Sequence, residues 1–239
     1  MKILALDSSG LVASVAVVEN DTLLAEYTVN YKKTHSQTLL PMLDEISNMT
    51  ELDLSTIDAI AVAGGPGSFT GLRIGSATAK GLGLALEKPL ISIPTTAAIA
   101  YNIWDTDKFV CPIMDARRNQ VYTGVYCYTD HRLDTVWEQD TMSIEALAEG
   151  LNCLDHEVIF LGDGVAVYRE KLEALLTIPF SFAPAHVNRQ RAAAVGALAE
   201  VYYKEGKIQT AEEHEPEYLR KSQAERERAE RESVKHADV

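Results

Sequence analysis

The sequence predicts an α/β protein made of two tandem half-domains, of which the second is shortened. Short apolar runs alternate with amphipathic stretches along most of the 239 residues, as in proteins that alternate strands with helices. A series of strands opens the chain, and a shorter version of the same order follows the polar junction Asp105-Thr106-Asp107. We therefore expect one domain over residues 1–106 and a second over residues 107–220.

The first domain begins with a predicted antiparallel meander over residues 2–7, 11–19 and 22–31. The turn Ser8-Ser9-Gly10 separates the first two runs, and Asn20-Asp21 is a hairpin signal between the second and the third. Because such tight turns join neighbouring antiparallel strands, the three runs are expected to lie side by side.

Helices and strands alternate in the rest of the first half. The predicted helices cover residues 38–49, 70–86 and 95–104, and the predicted strands cover residues 57–63 and 90–93. The first helix is expected to place five apolar residues on one stripe, namely Leu39, Leu40, Leu43, Ile46 and Met49. The resulting order, β-β-β-α-β-α-β-α, is that of the ribonuclease-H-like half-domain from which the actin/Hsp70/sugar-kinase (ASKHA) superfamily is built.

The second half echoes this order in shortened form. Predicted strands cover residues 109–114, 120–128, 133–138 and 158–161, and predicted helices cover residues 144–151, 166–176 and 188–204. We expect the last helix to pack back on the first domain. In the terminal segment, residues 221–239, charges of both signs alternate without an apolar stripe, which is typical of a solvated helix or a disordered tail.

The amino-acid composition and the net charge of the chain argue against several classes of function. The chain is 46% hydrophobic and 24% charged, as soluble globular proteins are, and no apolar run approaches the roughly 20 residues of a membrane span. Three cysteines without a C-x-x-C pair, and no secretory signal, predict a cytoplasmic protein with reduced thiols. The net charge of −13 argues against independent binding of nucleic acid, although a basic partner could still place the chain beside it.

A glycine turn, Gly64-Gly65-Pro66-Gly67, joins the predicted strand 57–63 to the helix 70–86. Such a turn at the end of a strand is a place where α/β proteins bind phosphates or partner loops. The pattern is neither a Walker loop nor a G-x-G-x-x-G fingerprint, so a tight connection without a ligand explains it equally well. In actin-like folds the first turn also faces the phosphates, here Asp7, Ser8 and Ser9, but this turn has no glycine pair or lysine.

We interpret both turns as vestigial phosphate-facing loops, formed by Asp7, Ser8, Ser9, Gly64, Gly65 and Gly67. None of the six histidines has a helical metal-ligand spacing, and no G-x-S-x-G nucleophile motif is present. The sequence therefore predicts no metal site and no catalytic residue.

Small residues recur every fourth position of the predicted helix 70–86, at Gly71, Gly75, Ala79 and Gly83. Each glycine costs a helix about 1 kcal/mol relative to alanine, so close packing is the expected reason. That packing could be on the chain's own sheet or on a second chain. For the helix pair together we predict a partner or dimer interface that contains His35, Leu39, Leu40, Leu43, Gly71, Arg73, Gly75, Ala79 and Gly83.

Several motifs in matching order over residues 1 to about 220 resemble the bacterial TsaB (YeaZ) family. They are Ile3-Leu4-Ala5-Leu6-Asp7-Ser8-Ser9, His35-Ser36-Gln37-Thr38-Leu39-Leu40-Pro41, Gly64-Gly65-Pro66-Gly67-Ser68-Phe69-Thr70-Gly71-Leu72-Arg73-Ile74-Gly75, Lys80-Gly81-Leu82, Ser92-Ile93-Pro94-Thr95 and Pro216-Glu217-Tyr218-Leu219-Arg220. The resemblance implies a role in making N6-threonylcarbamoyladenosine (t6A) at position 37 of tRNAs that read codons starting with adenine.

The resemblance also implies a non-catalytic subunit. The transferase paralogue TsaD holds a metal with two histidines in a helical H-x-x-x-H, and the corresponding positions here are Thr95 and Ile99. The implied work is to bind and stabilise TsaD and to help recruit the ATPase TsaE, with a homodimer when TsaD is absent and tRNA contacted only through the complex. No cofactor is implied for the chain itself, and a nucleotide at the partner interface stays open.

Two other functions belong to the same superfamily. A glycoprotease-type (M22-like) peptidase would need a metal pair, a nucleophile or a carboxylate dyad. An actin-fold ATP-dependent phosphotransferase would need phosphate loops in both domains, and only the first is partly present.

Overall fold

The computed structural model describes residues 1–31 and 35–220, so the predicted charged tail, residues 221–239, lies outside the described residues. Two five-stranded mixed sheets form two lobes, which confirms the α/β class and the tandem arrangement. No helix in the described ranges is long and apolar enough to cross a membrane.

The first lobe contains five strands and three helices. They are β1 (Lys2–Asp7), β2 (Ala13–Glu19), β3 (Thr22–Val29), α1 (Leu39–Thr50), β4 (Ala59–Gly65), α2 (Phe69–Leu86), β5 (Leu90–Pro94) and α3 (Thr95–Ala100).

The second lobe repeats this set of elements. They are β6 (Phe109–Asp115), β7 (Gln120–Thr129), β8 (Arg132–Ser143), α4 (Ile144–Leu154), β9 (Val158–Leu161), α5 (Val165–Leu175), β10 (Phe180–Phe182) and α6 (Ala192–Lys204).

The two sheets have the same topology. The strand order is β3-β2-β1-β4-β5 in the first and β8-β7-β6-β9-β10 in the second. In each, the three meander strands pair antiparallel and the two later strands add in parallel. The echo predicted from the sequence is therefore a complete duplication, with β10 as a strand that sequence reasoning did not predict.

Hydrophobic residues divide into three clusters that define the layers. Helices α1 and α2 cover one face of the first sheet, and α4 and α5 cover the outer face of the second. Helices α3 and α6 lie in the central cluster together with residues of both sheets, such as Ile3, Ile93, Val110 and Tyr126. The order of layers is thus α1/α2, first sheet, α3/α6, second sheet, α4/α5.

Helix α6 is joined to the first sheet at its N-terminus. Ser14 Oγ accepts a hydrogen bond from the amide of Ala192 (2.9 Å), and the Glu26 carboxylate accepts one from the amide of Ala193 (3.0 Å). The same carboxylate forms an ion pair with Arg191. These acceptors satisfy amide donors that the first turn of a helix leaves free. Helix α6 therefore belongs to the second half in sequence and packs on the first sheet in space.

Residues 208–220, which we call the C-terminal strap, return to the first lobe and cross towards the second. Gln209 forms an antiparallel bridge with Leu90, with backbone hydrogen bonds of 2.8 and 3.0 Å. Lys80 Nζ then donates to the carbonyls of Glu212 and His214. At the far end Arg220 donates to the carbonyl oxygen of Ala116 in the second lobe.

Several boundary predictions were wrong. Strand β8 extends to Ser143 instead of residue 138, and α6 begins at Ala192 instead of residue 188. Strand β2 begins at Ala13, and α3 ends at Ala100 instead of near residue 104. The predicted five-residue apolar stripe of α1 is also wrong in part, since Leu40 is 53% exposed and Met49 is 77% exposed. Met42 takes the place of these residues on the buried face of α1.

Candidate partner-binding helices and the cleft between the lobes

The glycine turn lies directly against the turn Ser8-Ser9. The amide of Ser68 donates to the carbonyl oxygen of Ser9 over 2.7 Å. A Cβ atom at Gly67 would stand 2.3 Å from that same carbonyl oxygen, closer than real side chains come. Glycine is therefore required at Gly67, and the side chain of Ser68 is free to cap α2 at the amide of Gly71 (3.3 Å).

The predicted small-residue stripe of α2 faces the chain's own interior. A Cβ atom at Gly71 would lie 2.1 Å from the carbonyl oxygen of Ser8, and one at Gly75 would lie 2.4 Å from Ser8 Oγ. At Gly83 it would lie 2.4 Å from a methyl carbon of Leu90, and Ala79 is fully buried. The prediction that these four residues contact a partner is wrong, because the first lobe already covers them.

The predicted interface residues on helix α1 are also partly buried. Leu39 and Leu43 are 1% and 4% exposed and belong to the core between α1, α2 and the first sheet. They are therefore unavailable to a partner in this fold. His35, Leu40 and Arg73 are accessible, and their place in an interface stays a prediction.

Two of the three accessible residues have internal contacts as well. His35 Nε2 lies 2.9 Å from the carbonyl oxygen of Gly10, at the mouth of the cleft. The Arg73 guanidinium lies 4.0 Å from the ring centre of Phe69 and is 3.4 Å from the hydroxyl of Tyr218 in the C-terminal strap. Phe69 and Tyr218 are themselves in ring contact at 4.8 Å.

A second small-residue stripe covers the opposite side of α2. Ala77, Gly81 and Ala85 are spaced by four residues and are exposed, and a Cβ atom at Gly81 would meet nothing within 4 Å. Leu84 lies beside them and is 57% exposed. We call Arg73, Ala77, Gly81, Leu84 and Ala85 the outer face of α2. Arg73 was in the predicted interface, and the other four residues were missed because the first stripe has the same spacing, although the run Ala77-x-x-x-Gly81-x-x-x-Ala85 was visible in the sequence.

A cleft of about 340 Å³ separates the lobes at the ends of β1 and β6. Ser9, Gly67 and Ser68 line it from the first lobe, and Asp115 and Asp163 line it from the second. Of the predicted vestigial loops, Ser9 and Gly67 therefore reach the cleft. Asp7 and Ser8 lie behind them, fully or almost fully buried.

Gly64 and Gly65 do not line the cleft. The amide of Glu217 donates to the carbonyl oxygen of Gly64 over 2.7 Å, and a Cβ atom at Gly65 would lie 2.2 Å from the carbonyl oxygen of Glu217. The C-terminal strap therefore covers this half of the glycine turn.

Four backbone amides of the turns at the cleft are already bonded within the chain. The amide of Ser9 donates to Asp7 Oδ1 (2.9 Å), and the amide of Ser68 donates to Ser9. In the second lobe the amides of Gly162 and Gly164 donate to the carbonyl oxygens of Asn188 and Ile113. A phosphate could use these donors only if the two turns opened.

Asp7 is buried, and only one of its carboxylate oxygens is used. Oδ1 accepts from the amide and the hydroxyl of Ser9, whereas Oδ2 has no hydrogen-bond partner. Burial raises the pKa of Asp7 from 3.8 to about 6, and the two bonds from Ser9 and the nearby His35 oppose the rise. Burial also raises the pKa of Asp163 across the cleft, opposed by its bond from the amide of Asp115.

The resemblance to TsaD places Thr95 and Ile99 at the positions of its metal-binding histidines, and both residues have structural contacts here. Thr95 Oγ1 accepts from the amide of Gly65 (3.2 Å), and Ile99 is a core residue that is 1% exposed. Over residues 1–31 and 35–220, no group of three or more His, Cys, Asp or Glu side chains is arranged to hold a metal ion.

We predict opposite effects for the same substitution on the two sides of α2. Gly75→Ala should lower the free energy of unfolding by about 1–3 kcal/mol, because the added methyl displaces Ser8 Oγ from its buried bond with the carbonyl of Gly71. Gly81→Ala has free space and should raise it by about 1 kcal/mol. Urea unfolding of both variants measures the difference. Equal shifts of the same sign would mean that the burial of α2 is assigned to the wrong side.

A second prediction concerns pH. Since the pKa of Asp7 is higher in the folded state, its unfavourable contribution appears as pH rises from about 4 through about 6. Asp7→Asn removes this titration. Between pH 4 and pH 7 the unfolding free energy of the variant should therefore rise by about 2–3 kcal/mol relative to that of wild type. Asp44→Asn on the exposed side of α1 is the control. Parallel pH profiles for wild type and Asp7→Asn would contradict the prediction.

Comparison with known proteins identifies the family that the chain resembles in sequence. The family model described as "TsaD: tRNA N6-adenosine threonylcarbamoyltransferase" matches residues 22–228. The chain is 32% identical to the tRNA threonylcarbamoyladenosine biosynthesis protein TsaB of Bacillus subtilis, over 94% of this chain and 96% of that protein. It is 30% identical to the Escherichia coli protein of the same name, again over 94% and 96%.

Solved structures give the same result. YeaZ from Pseudomonas aeruginosa has a TM-score of 0.79 and 28% identity, and covers 91% of this chain and 99% of its own. The ethanolamine utilization protein EutJ from Carboxydothermus hydrogenoformans has a TM-score of 0.54 at 10% identity, covers 83% of this chain and 90% of its own, and is similar in fold alone. The duplicated sheets and these sequence matches together show that the chain belongs to the TsaB (YeaZ) family and has the actin-like ASKHA fold.

Proposed function

We propose that this chain is a non-catalytic accessory subunit for threonylcarbamoylation of adenosine 37 in tRNAs that read codons starting with adenine. The relatives from Bacillus subtilis and Escherichia coli are named as biosynthesis proteins of threonylcarbamoyladenosine, which supports the pathway. The observation that carries the accessory role is the closed pair of turns at the cleft, where Ser68 and Ser9 bond to each other.

The cleft has the position of a nucleotide site, but four amides of its turns already bond within the chain. Amides of the first turn and of the Gly162–Gly164 turn are bonded internally, and the carboxylates Asp115 and Asp163 face the space between the lobes. This argues against an ATP-dependent phosphotransferase. A metal peptidase is disfavoured because Thr95 and Ile99 stand where imidazoles would be needed.

The partner surface in this proposal is the outer face of α2 with the exposed side of α1. Small side chains at Ala77, Gly81 and Ala85 allow the backbone of another helix to approach closely, and Leu40 and Leu84 supply exposed apolar area. A TsaD-type transferase is the proposed partner, and a second copy of this chain would use the same face when the transferase is absent. The ATPase TsaE would join this pair.

Transfer RNA is contacted only within the complex in this proposal. A chain with a net charge of −13 repels the phosphate backbone on average. In this proposal the chain itself needs no cofactor. Any nucleotide would bind at the interface with the partner, which would supply part of the nucleotide site. The pathway acts in the cytoplasm.

Depletion of the protein tests the pathway directly. The proposal predicts that threonylcarbamoyladenosine in bulk tRNA falls severalfold as the protein is diluted out, and that a plasmid copy restores it. Nucleoside analysis by mass spectrometry measures the modification. A constant level during depletion would refute the proposed function.

A substitution on the outer face of α2 tests the surface. Ala77→Arg introduces a long charged side chain between two helices and should weaken binding of the TsaD-type partner by about tenfold or more. Ala146→Arg on the exposed side of α4 is the control and should bind normally. Calorimetry gives the affinities and thermal unfolding checks both folds. Native affinity of a folded Ala77→Arg variant would place the interface elsewhere.

A further inference from the structure

A groove of about 440 Å³ lies at the C-terminal end of α2. One wall is the last turn of the helix with Leu84 and Glu87, and the other is the beginning of the C-terminal strap, from Ile208 to Glu213. Pro89 closes the groove between them. We call this the groove at the end of α2.

Its floor is apolar and open. Leu84 is 57% exposed and Ile208 is 47% exposed, and both line the groove. Two large exposed aliphatic side chains that line one groove favour a ligand that carries hydrocarbon. Leu84 also belongs to the outer face of α2, so the groove continues the surface proposed for the partner.

Its rim is negative. Glu87 and Glu212 have exposed side chains and form no ion pair within the described part of the chain, and Glu213 uses its carboxylate on the amide and hydroxyl of Thr210. Among the described residues that line the groove, Lys88 has the one basic side chain.

The end of α2 adds to this negative character. The helix has 18 residues and no basic side chain in its last turn. Carbonyl groups at a helix C-terminus carry a partial negative charge that cations usually complement. The C-cap amide of Glu87 and the amide of Lys88 both bond to the carbonyl of Gly83, which leaves the later carbonyls of the turn to other donors.

We propose that the groove at the end of α2 receives a lysine- or arginine-bearing apolar segment of the protein partner. The aliphatic part of that side chain packs on Leu84 and Ile208, and its charged head meets Glu87, Glu212 and the helix end. This inference rests on the proposed function, because the occupant is a segment of the TsaD-type partner.

A second copy of this chain is a weaker fit to the groove. It would bring another surface of the same net charge, −13, against an acidic rim. A nucleic acid strand is excluded by the same repulsion. A basic segment of a different protein is the occupant that the charges favour.

Charge reversal at the rim tests the inference. We compare the full-length wild type with a Glu87→Lys/Glu212→Lys variant and with a Glu149→Lys/Glu170→Lys control, which makes the same charge change on the exposed sides of α4 and α5. Affinity for the TsaD-type partner is measured by calorimetry at low and high salt. Lysine at the end of α2 favours the helix itself, so lost binding would not reflect a lost fold.

The rim variant should bind about tenfold more weakly at low salt, and the loss should shrink at high salt, while the control stays within about twofold of wild type. Ile208→Ser, which leaves the outer face of α2 intact, should weaken binding equally at both salt concentrations.

Other outcomes separate the inference from the proposed function. If wild type binds and the rim variant binds as the control does, the groove inference is wrong and the proposed function stands. If wild type does not bind the partner, both fail. If the rim variant changes self-association in sedimentation but leaves binding of the TsaD-type partner unchanged, the occupant is a second copy of this chain. The inference would then name the wrong occupant.

Discussion

The arrangement of the rest of the structure depends on the contact between the turn Ser8-Ser9 and the glycine side of α2. Gly67, Gly71 and Gly75 bring the helix so close that a Cβ atom at any of them would stand within 2.4 Å of Ser8 or Ser9. That approach fixes the rotation of α2 about its axis, and hence which residues face water. A side chain larger than hydrogen at Gly67 or Gly71 would collide with the backbone carbonyl of Ser9 or Ser8 and push α2 away from that turn.

The same contact connects fold and function. By bonding Ser68 to Ser9 it uses amides that a phosphate would need, and by turning one small stripe inward it leaves Ala77, Gly81 and Ala85 outward. The two turns thus close on each other and hold α2 in one orientation. The C-terminal strap reinforces this arrangement by covering Gly64 and Gly65.

Much of the fold was predictable because local sequence patterns determine its helices, strands and turns. Apolar runs and turn residues predicted the order of elements in both lobes, and the glycine turn predicted a close backbone approach. The direction of that approach was not predictable, because residues four apart define two opposite stripes on α2 and spacing does not say which is buried. Strand β10 and the C-terminal strap were missed since they are held by a few long-range bonds, such as Gln209 to Leu90, and have no periodicity.

Asp7 has a structural role behind the cleft, at the end of β1. Its burial opposes folding at neutral pH, and Oδ2 gains no hydrogen bond in return. Oδ1, however, holds both the amide and the hydroxyl of Ser9, and the carbonyl of Ser9 is the acceptor for Ser68 at the start of α2. The carboxylate therefore shapes the turn on which α2 rests, and this role is sufficient to explain its place at the end of β1.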